Sequence, residues 1–167
     1  TLMGMTLIEH IEVGSGGAAS IEFTGIDQTG QDLLLKVSSR NSADSDAHRW
    51  TFNGLTTGIY SEVRLSGNGS SSSSSSRTND TKIYLRTVRS SRTANTFGSY
   101  SLYISNYAST TTSKSVSVDL VTENNATAAE QDLHAISFAE NGAIISMQET
   151  ESLAAGTTLS LYKITAD

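Results

Sequence analysis

Apolar and polar residues alternate with a period of two along most of this chain. That spacing puts one face of an extended strand on a core and the other in water. Leu33, Leu35 and Val37 alternate with Asp32, Leu34 and Lys36. Tyr100, Leu102 and Ile104 alternate with Ser101, Tyr103 and Ser105, and Val116, Val118 and Leu120 with Ser117 and Asp119. Shorter sets are Ile21 and Phe23, Trp50 and Phe52, Ile83 and Leu85, Ile136 and Phe138, Ile145 and Met147, and Leu159 and Leu161. Ile59, Val63 and Leu65 share one parity, with Glu62 and Arg64 on the other, which assigns the aliphatic set to the core.

These sets predict roughly ten short strands at regular spacing, the pattern of a sandwich or jelly roll. The fold expected is all-β: a single antiparallel β-sandwich, jelly-roll-like, over residues 7–167, behind an N-terminal extension of residues 1–6. Gly14, Gly16 and Gly17 separate a first strand from a second. Asn53-Gly54 and Asn141-Gly142 suit type I′ turns, which need positive φ at both positions. Asn68-Gly69 opens an unbroken serine run, Ser70–Ser76, which offers nothing apolar to bury and is expected to be an exposed, mobile loop that acts as a spacer. Ala126–Leu133 has the composition for one turn of helix and is read as a connection. Thr1–Met5 precedes the first strand as an arm or anchor.

Composition narrows the function. The chain has 167 residues, 37% of them hydrophobic, with no proline and no cysteine. Turns must therefore be built from Gly, Asn, Asp and Ser, and disulfides, thiolate metal sites and a cysteine nucleophile are excluded. No stretch approaches the roughly 20 apolar residues of a membrane-spanning helix. The N-terminal residues lack the basic segment and apolar core of a signal peptide, so a site of action outside a cell would be reached by lysis or within a particle. A net charge of −6 argues against nucleic acid or an anionic membrane as partner. Against that balance, Arg86, Arg89 and Arg92 cluster just after Arg77 and Lys82. They read as a solvated strand and turn, or as a subunit contact or acidic-glycan site.

Candidate chemistry is sparse. His10, His48 and His134 have no metal-ligand spacing and read as unrelated surface or core residues. Asp44-Ser45-Asp46 resembles the start of a calcium loop but lacks the later acidic ligands, so a polar hairpin end is preferred. Glu149 and Glu151 would face one side of a strand, where paired carboxylates could do glycosidase work, but only Thr150 and Ser152 surround them; an exposed charged edge is expected. No nucleophile elbow, zinc-binding helix motif, phosphate loop or dinucleotide fingerprint occurs. Asn68, Asn79 and Asn125 begin glycosylation sequons, which matter only in a eukaryotic secretory setting. Tyr60, Tyr103 and Tyr107 have strand-end or outward positions and could form a sugar platform or subunit contact, against the plainer reading of core edge. With Arg86, Arg89 and Arg92 they are the candidate partner or glycan contacts. No catalytic, metal-binding or cofactor-binding residue is assigned.

Four blocks carry a resemblance: Val13–Ile26 (VGSGGAASIEFTGI), Leu65–Ser71 (LSGNGSS), Thr93–Gly98 (TANTFG) followed by Tyr100–Ile104 and Asn106-Tyr107, and the closing Leu159–Ile164 (LSLYKI). In this order they resemble a family of β-sandwich domains encoded by tailed bacteriophages, including marine and cyanobacterial ones. The chain departs from that pattern at Asp27, where the family commonly has proline, and at Lys163, where it has glycine. The resemblance implies a non-enzymatic virion structural protein and transfers no catalytic residue. The expected role is a tail-fibre, tail-tip or appended adhesin domain contacting the host surface, located in the virion. The alternative is a capsid decoration protein whose Thr1–Glu12 arm reaches a neighbour. Expected partners are other virion proteins, further copies of the chain (a trimer by analogy) and host surface polysaccharide.

Overall fold

The structure is a computed structural model and describes residues 3–123 and 130–166. It contains twelve strands: β1 (Met3–Glu12), β2 (Ile21–Thr24), β3 (Asp32–Ser39), β4 (Ala47–Phe52), β5 (Tyr60–Gly67), β6 (Ser72–Asp80), β7 (Ile83–Arg86), β8 (Gly98–Ile104), β9 (Lys114–Thr122), β10 (Glu130–Phe138), β11 (Ser146–Glu149) and β12 (Thr158–Ala166). They form an eight-stranded sheet ordered β1-β12-β3-β8-β9-β10-β5-β6 and a four-stranded sheet ordered β2-β11-β4-β7. Every pair of neighbouring strands is antiparallel. Between β2 and β5 the chain alternates between the sheets, and it crosses again into β7, β8, β11 and β12, the wiring of a jelly roll with the β9–β10 hairpin inserted in the larger sheet.

The inward sets of most strands meet between the sheets. Leu33, Leu35, Leu102, Ile104, Leu159 and Leu161 of the large sheet pack with Phe23, Trp50, Phe52, Ile83, Leu85 and Met147 of the small one. Phe52, Tyr60 and Phe138 form an aromatic group, with Phe138 edge-on to Phe52 at 5.2 Å and stacked on Tyr60 at 5.3 Å. Fully burying such side chains contributes on the order of 2–3 kcal/mol each.

Several expectations change here. The N-terminal residues are not an arm: Met3–Glu12 is an edge strand paired along β12, with Met3 opposite Ala166. Thr1 and Leu2 lie outside the described residues. The serine run is not a loop, because Ser72–Ser76 belongs to β6, paired with β5 from Gly67↔Ser72 to Val63↔Ser76. Backbone hydrogen bonds build that pairing and need no apolar side chain. The hairpin turns at Gly69, at φ +83°, where Asn68 Oδ1 accepts from the N–H groups of Ser70 and Ser71. Glu130–Leu133 of the proposed helical turn is strand; Ala126–Ala129 lies outside the described residues.

The Asn53-Gly54 turn has the φ values its sequence demands, 53° and 66°, and Leu55 N–H donates back to Phe52 O. Asn141-Gly142 has no positive φ among the described residues. Instead the carbonyls of Asn141 and Gly142 accept from the buried ammonium of Lys114, which also donates to Ser109 O and Thr112 O. One lysine thus ties two loops together.

Candidate interaction surface

The parity of β5 is opposite to the expected one. Glu62 is buried, while Val63 and Leu65 point outward and are 53% and 56% exposed. β9 and β10 keep their expected inward sets, Val116, Val118 and Leu120 and Ile136 and Phe138, and also carry apolar residues on the outer face, where Leu133 and Val121 are 49% and 44% exposed. Beside the inward apolar residues, the inner face of β5 and β10 carries a buried polar cluster. His134 lies between Glu62 and Asp132, with Nδ1 3.6 Å from one carboxylate and Nε2 3.8 Å from the other. Arg86 Nε lies 3.5 Å from Asp132, and Arg86 also pairs with Glu130. Ser66 donates to Asp132. Burial opposes a charge on His134, but Asp132 and Glu62 outweigh it and raise the imidazole above its ordinary pKa. Burial likewise pushes Asp132 up, and its His134, Ser66 and arginine neighbours pull it below its usual range.

Two other buried acid–base groups belong to the core. His48 Nδ1 lies 3.1 Å from Tyr100 Oη, which accepts from Trp50 Nε1 at 2.8 Å, and burial lowers His48 to about 3. Glu149 is not the exposed edge residue expected. It is fully buried, accepts from the N–H groups of Arg49 and Glu151, and is pushed up by burial to about 8. Glu151 pairs with Arg49. Among the described residues, no three His, Asp or Glu side chains converge to hold a metal ion.

The candidate contacts separate on this frame. Tyr60 is buried, so it offers no face to a partner: its hydroxyl accepts from Phe52 N–H and donates to Leu55 O. Tyr107 is also buried, donating to Asp27 O and accepting from Gly30 N–H. Only Tyr103 lies on a surface, its hydroxyl donating to Asp32 Oδ2 at 2.6 Å. That carboxylate raises the phenol to about 12. Arg86 is committed to the Glu130 and Asp132 pairs, and Arg89 to Asp46 at 2.7 Å. Arg92 is exposed and shares with Arg86 and Arg89 a cleft of about 120 Å³ that Asp46, Glu123 and Glu130 also line. The arginines therefore do not form a free basic patch. His10 is exposed and bonds Ser160 on the outer face. Asp44 and Asp46 meet Arg89 and Ser91.

The surface that alternation alone did not reveal is the outer face of the large sheet. In one cross-strand row Leu7, Tyr162, Leu34, Tyr103, Ser117, Ala135, Val63 and Ser76 stand side by side, one from each of the eight strands in order. Bulky residues occupy the β1-β12-β3-β8 half, and small ones the centre of the other half. There a broad open groove of about 560 Å³ runs from Tyr103 and Ser105 across Ser115, Ser117, Ala135 and Ser137 to Ser61, Ser76 and Thr78. Exposed Met5, Leu7, Val63, Leu65, Val121 and Leu133 lie on this same face.

No protein-family model matches the chain, and no curated protein matches it. Among solved structures, a protein of unknown function from Shewanella oneidensis MR-1 is similar over 98% of this chain and 77% of that one, at 13% identity and a TM-score of 0.24. A likeness of that size carries no argument about fold or role.

Proposed function

We propose that this domain is a non-enzymatic structural module of a virion, joined to its assembly through the outer face of the eight-stranded sheet and placed in the tail as a fibre, tip or adhesin domain. The observation that carries the reading is that face: apolar side chains about half exposed, spread across the sheet and interrupted by a small-residue groove. Several half-exposed apolar side chains sharing one face beside a groove are the kind of surface that marks an interaction site. The phage setting rests on the sequence blocks from Val13 to Ile164. Glu149 and the Glu62–His134–Asp132 cluster are buried and bonded to their own neighbours, which supports a structural role for these groups.

Capsid decoration loses one support, because the residues that would form a reaching arm are bonded into β1. The test is immunogold labelling of particles recovered from lysates of cells that carry the gene. Label at the tail is expected. Label across the head would favour decoration, and particles without label would overturn the virion reading.

A further inference from the structure

We infer that the outer face of the large sheet pairs with the same face of a second copy of this chain, about a two-fold axis that runs along the strands between β8 and β9. The inference rests on reading that face as an assembly surface and names what covers it.

The axis follows from the sheet order, in which four strands lie on each side of the β8–β9 boundary. A two-fold axis in the interface, parallel to the strands, keeps each cross-strand row opposite itself and exchanges its two halves. β8 then faces the second copy's β9, β3 faces β10, β12 faces β5 and β1 faces β6. In the central row this sets Tyr103 over Ser117, Leu34 over Ala135, Tyr162 over Val63 and Leu7 over Ser76. Each pair joins a larger residue to a smaller one. In the next row the order of size reverses between β12 and β5, where Ser160 falls over Leu65, and Lys36 falls over Leu133. One face thus carries both the projections and the hollows that a self-complementary interface needs.

Charge and area agree with this. Lys36 falls over the second copy's Leu133, offset sideways by one strand spacing, about 4.8 Å, from that copy's Asp119 across a sheet-to-sheet gap of about 10 Å that a lysine and an aspartate side chain together span. Asp32 is already occupied by Tyr103 and by Asn106 N–H. Eight strands and three rows cover about 34 by 20 Å, or roughly 700 Å². That approaches the roughly 800 Å² per partner of a standard stable interface. Twisted sheets stacked face to face settle with strand directions up to about 30° apart, which a tilt of the axis by about 15° from the central strands would give.

The test is sedimentation velocity on the purified chain and two variants. The unmodified chain is expected at twice its 17.7 kDa mass. Ala135→Lys, on an exposed strand position, puts a charge on the groove floor and is expected to weaken dimerisation at least tenfold with an unchanged circular-dichroism spectrum. Adding Leu34→Asp to the same chain places an Asp against each Lys across the axis, three strands too far apart to pair within one copy, and is expected to restore the dimer. If the double variant does not fold, Ala135→Lys decides alone. A chain that stays monomeric at millimolar concentration, a trimer, an Ala135→Lys dimer of unchanged affinity, or a folded double variant that stays monomeric would each overturn the inference. A monomer that still labels particles would sink this inference and leave the virion reading standing. A dimer that labels no particle would do the reverse.

Discussion

Lys114 is a sharp place to test how this fold is held together. Its side chain is buried, and Nζ lies 2.6–2.8 Å from four carbonyl oxygens, those of Ser109, Thr112, Asn141 and Gly142. An ammonium has three hydrogens, so three strong bonds are shared among four acceptors. Lys114→Met keeps the length and apolar stem but removes the charge and every donor. Four carbonyls from two loops then face each other with nothing between them. Burial alone lowers the lysine pKa from its usual value, so part of the gain from its bonds is already offset by desolvation. Hydrogen bonds to a charged group contribute about 1.5–3 kcal/mol each, and leaving buried acceptors unpaired costs about 1–3 kcal/mol. Allowing for desolvation and some water entry, a loss of about 3–5 kcal/mol is expected. For a domain of this size that corresponds to a fall in Tm of roughly 6–20 °C. Calorimetry gives the Tm, and amide exchange should show faster exchange confined first to residues 106–113 and 139–144. A Tm within about 2 °C of the parent, with unchanged exchange in both loops, would refute the clamp.

Three further outcomes follow from the geometry. Glu149 keeps its proton in the folded chain up to about pH 8, whereas its ordinary pKa is 4.5. The fold therefore binds this proton more tightly than the unfolded chain, and stability falls between those pH values as pH rises, by on the order of a few kcal/mol. Glu149→Gln should flatten urea-derived stability over pH 5–8, and an unchanged slope would show that Glu149 is not its source. Tyr60→Phe strands the Phe52 N–H and should cost about 1–3 kcal/mol in chemical denaturation, with a value near zero counting against the bond. Replacing Ser70–Ser76 by a short Gly-Ser turn removes the paired part of β6 and opens the edge of β5, so lower Tm and more light scattering are expected. Full retention of both would mean that β6 contributes nothing.

The sequence made the core legible wherever both sheets cover a strand. Leu33, Leu35, Leu102, Val116, Val118 and Leu161 all face inward, as their alternation requires. On β5 the alternation was equally clear and pointed the wrong way. Alternation shows that two faces differ, but which one is covered depends on how far the opposing sheet extends. The serine run hid a strand because pairing there is a backbone property. Tyr60 and Tyr107 looked like contact residues because sequence gives a hydroxyl's presence and not the carbonyl it reaches. Glu149 looked exposed because its stabilising partners are backbone N–H groups, which every residue has. The outer face of the large sheet was legible only once the register was known, since its central row draws one residue from each of eight strands scattered between Leu7 and Tyr162. Asp27 and Lys163, two positions whose closeness the sequence did not reveal, are partners: the lysine holds the Asp27 carboxyl down at about 2.

The pairing of Met3 with Ala166 has a mechanical consequence. Tension applied between those two points acts across the β1–β12 ladder and opens its hydrogen bonds one after another, from the Met3 end toward Glu12. Tension along a ladder must break many bonds together, so this arrangement peels at low force. A copy loaded through these points would shed β1 early and expose the edge of β12. The durable load path through this domain is sideways, across its sheet face.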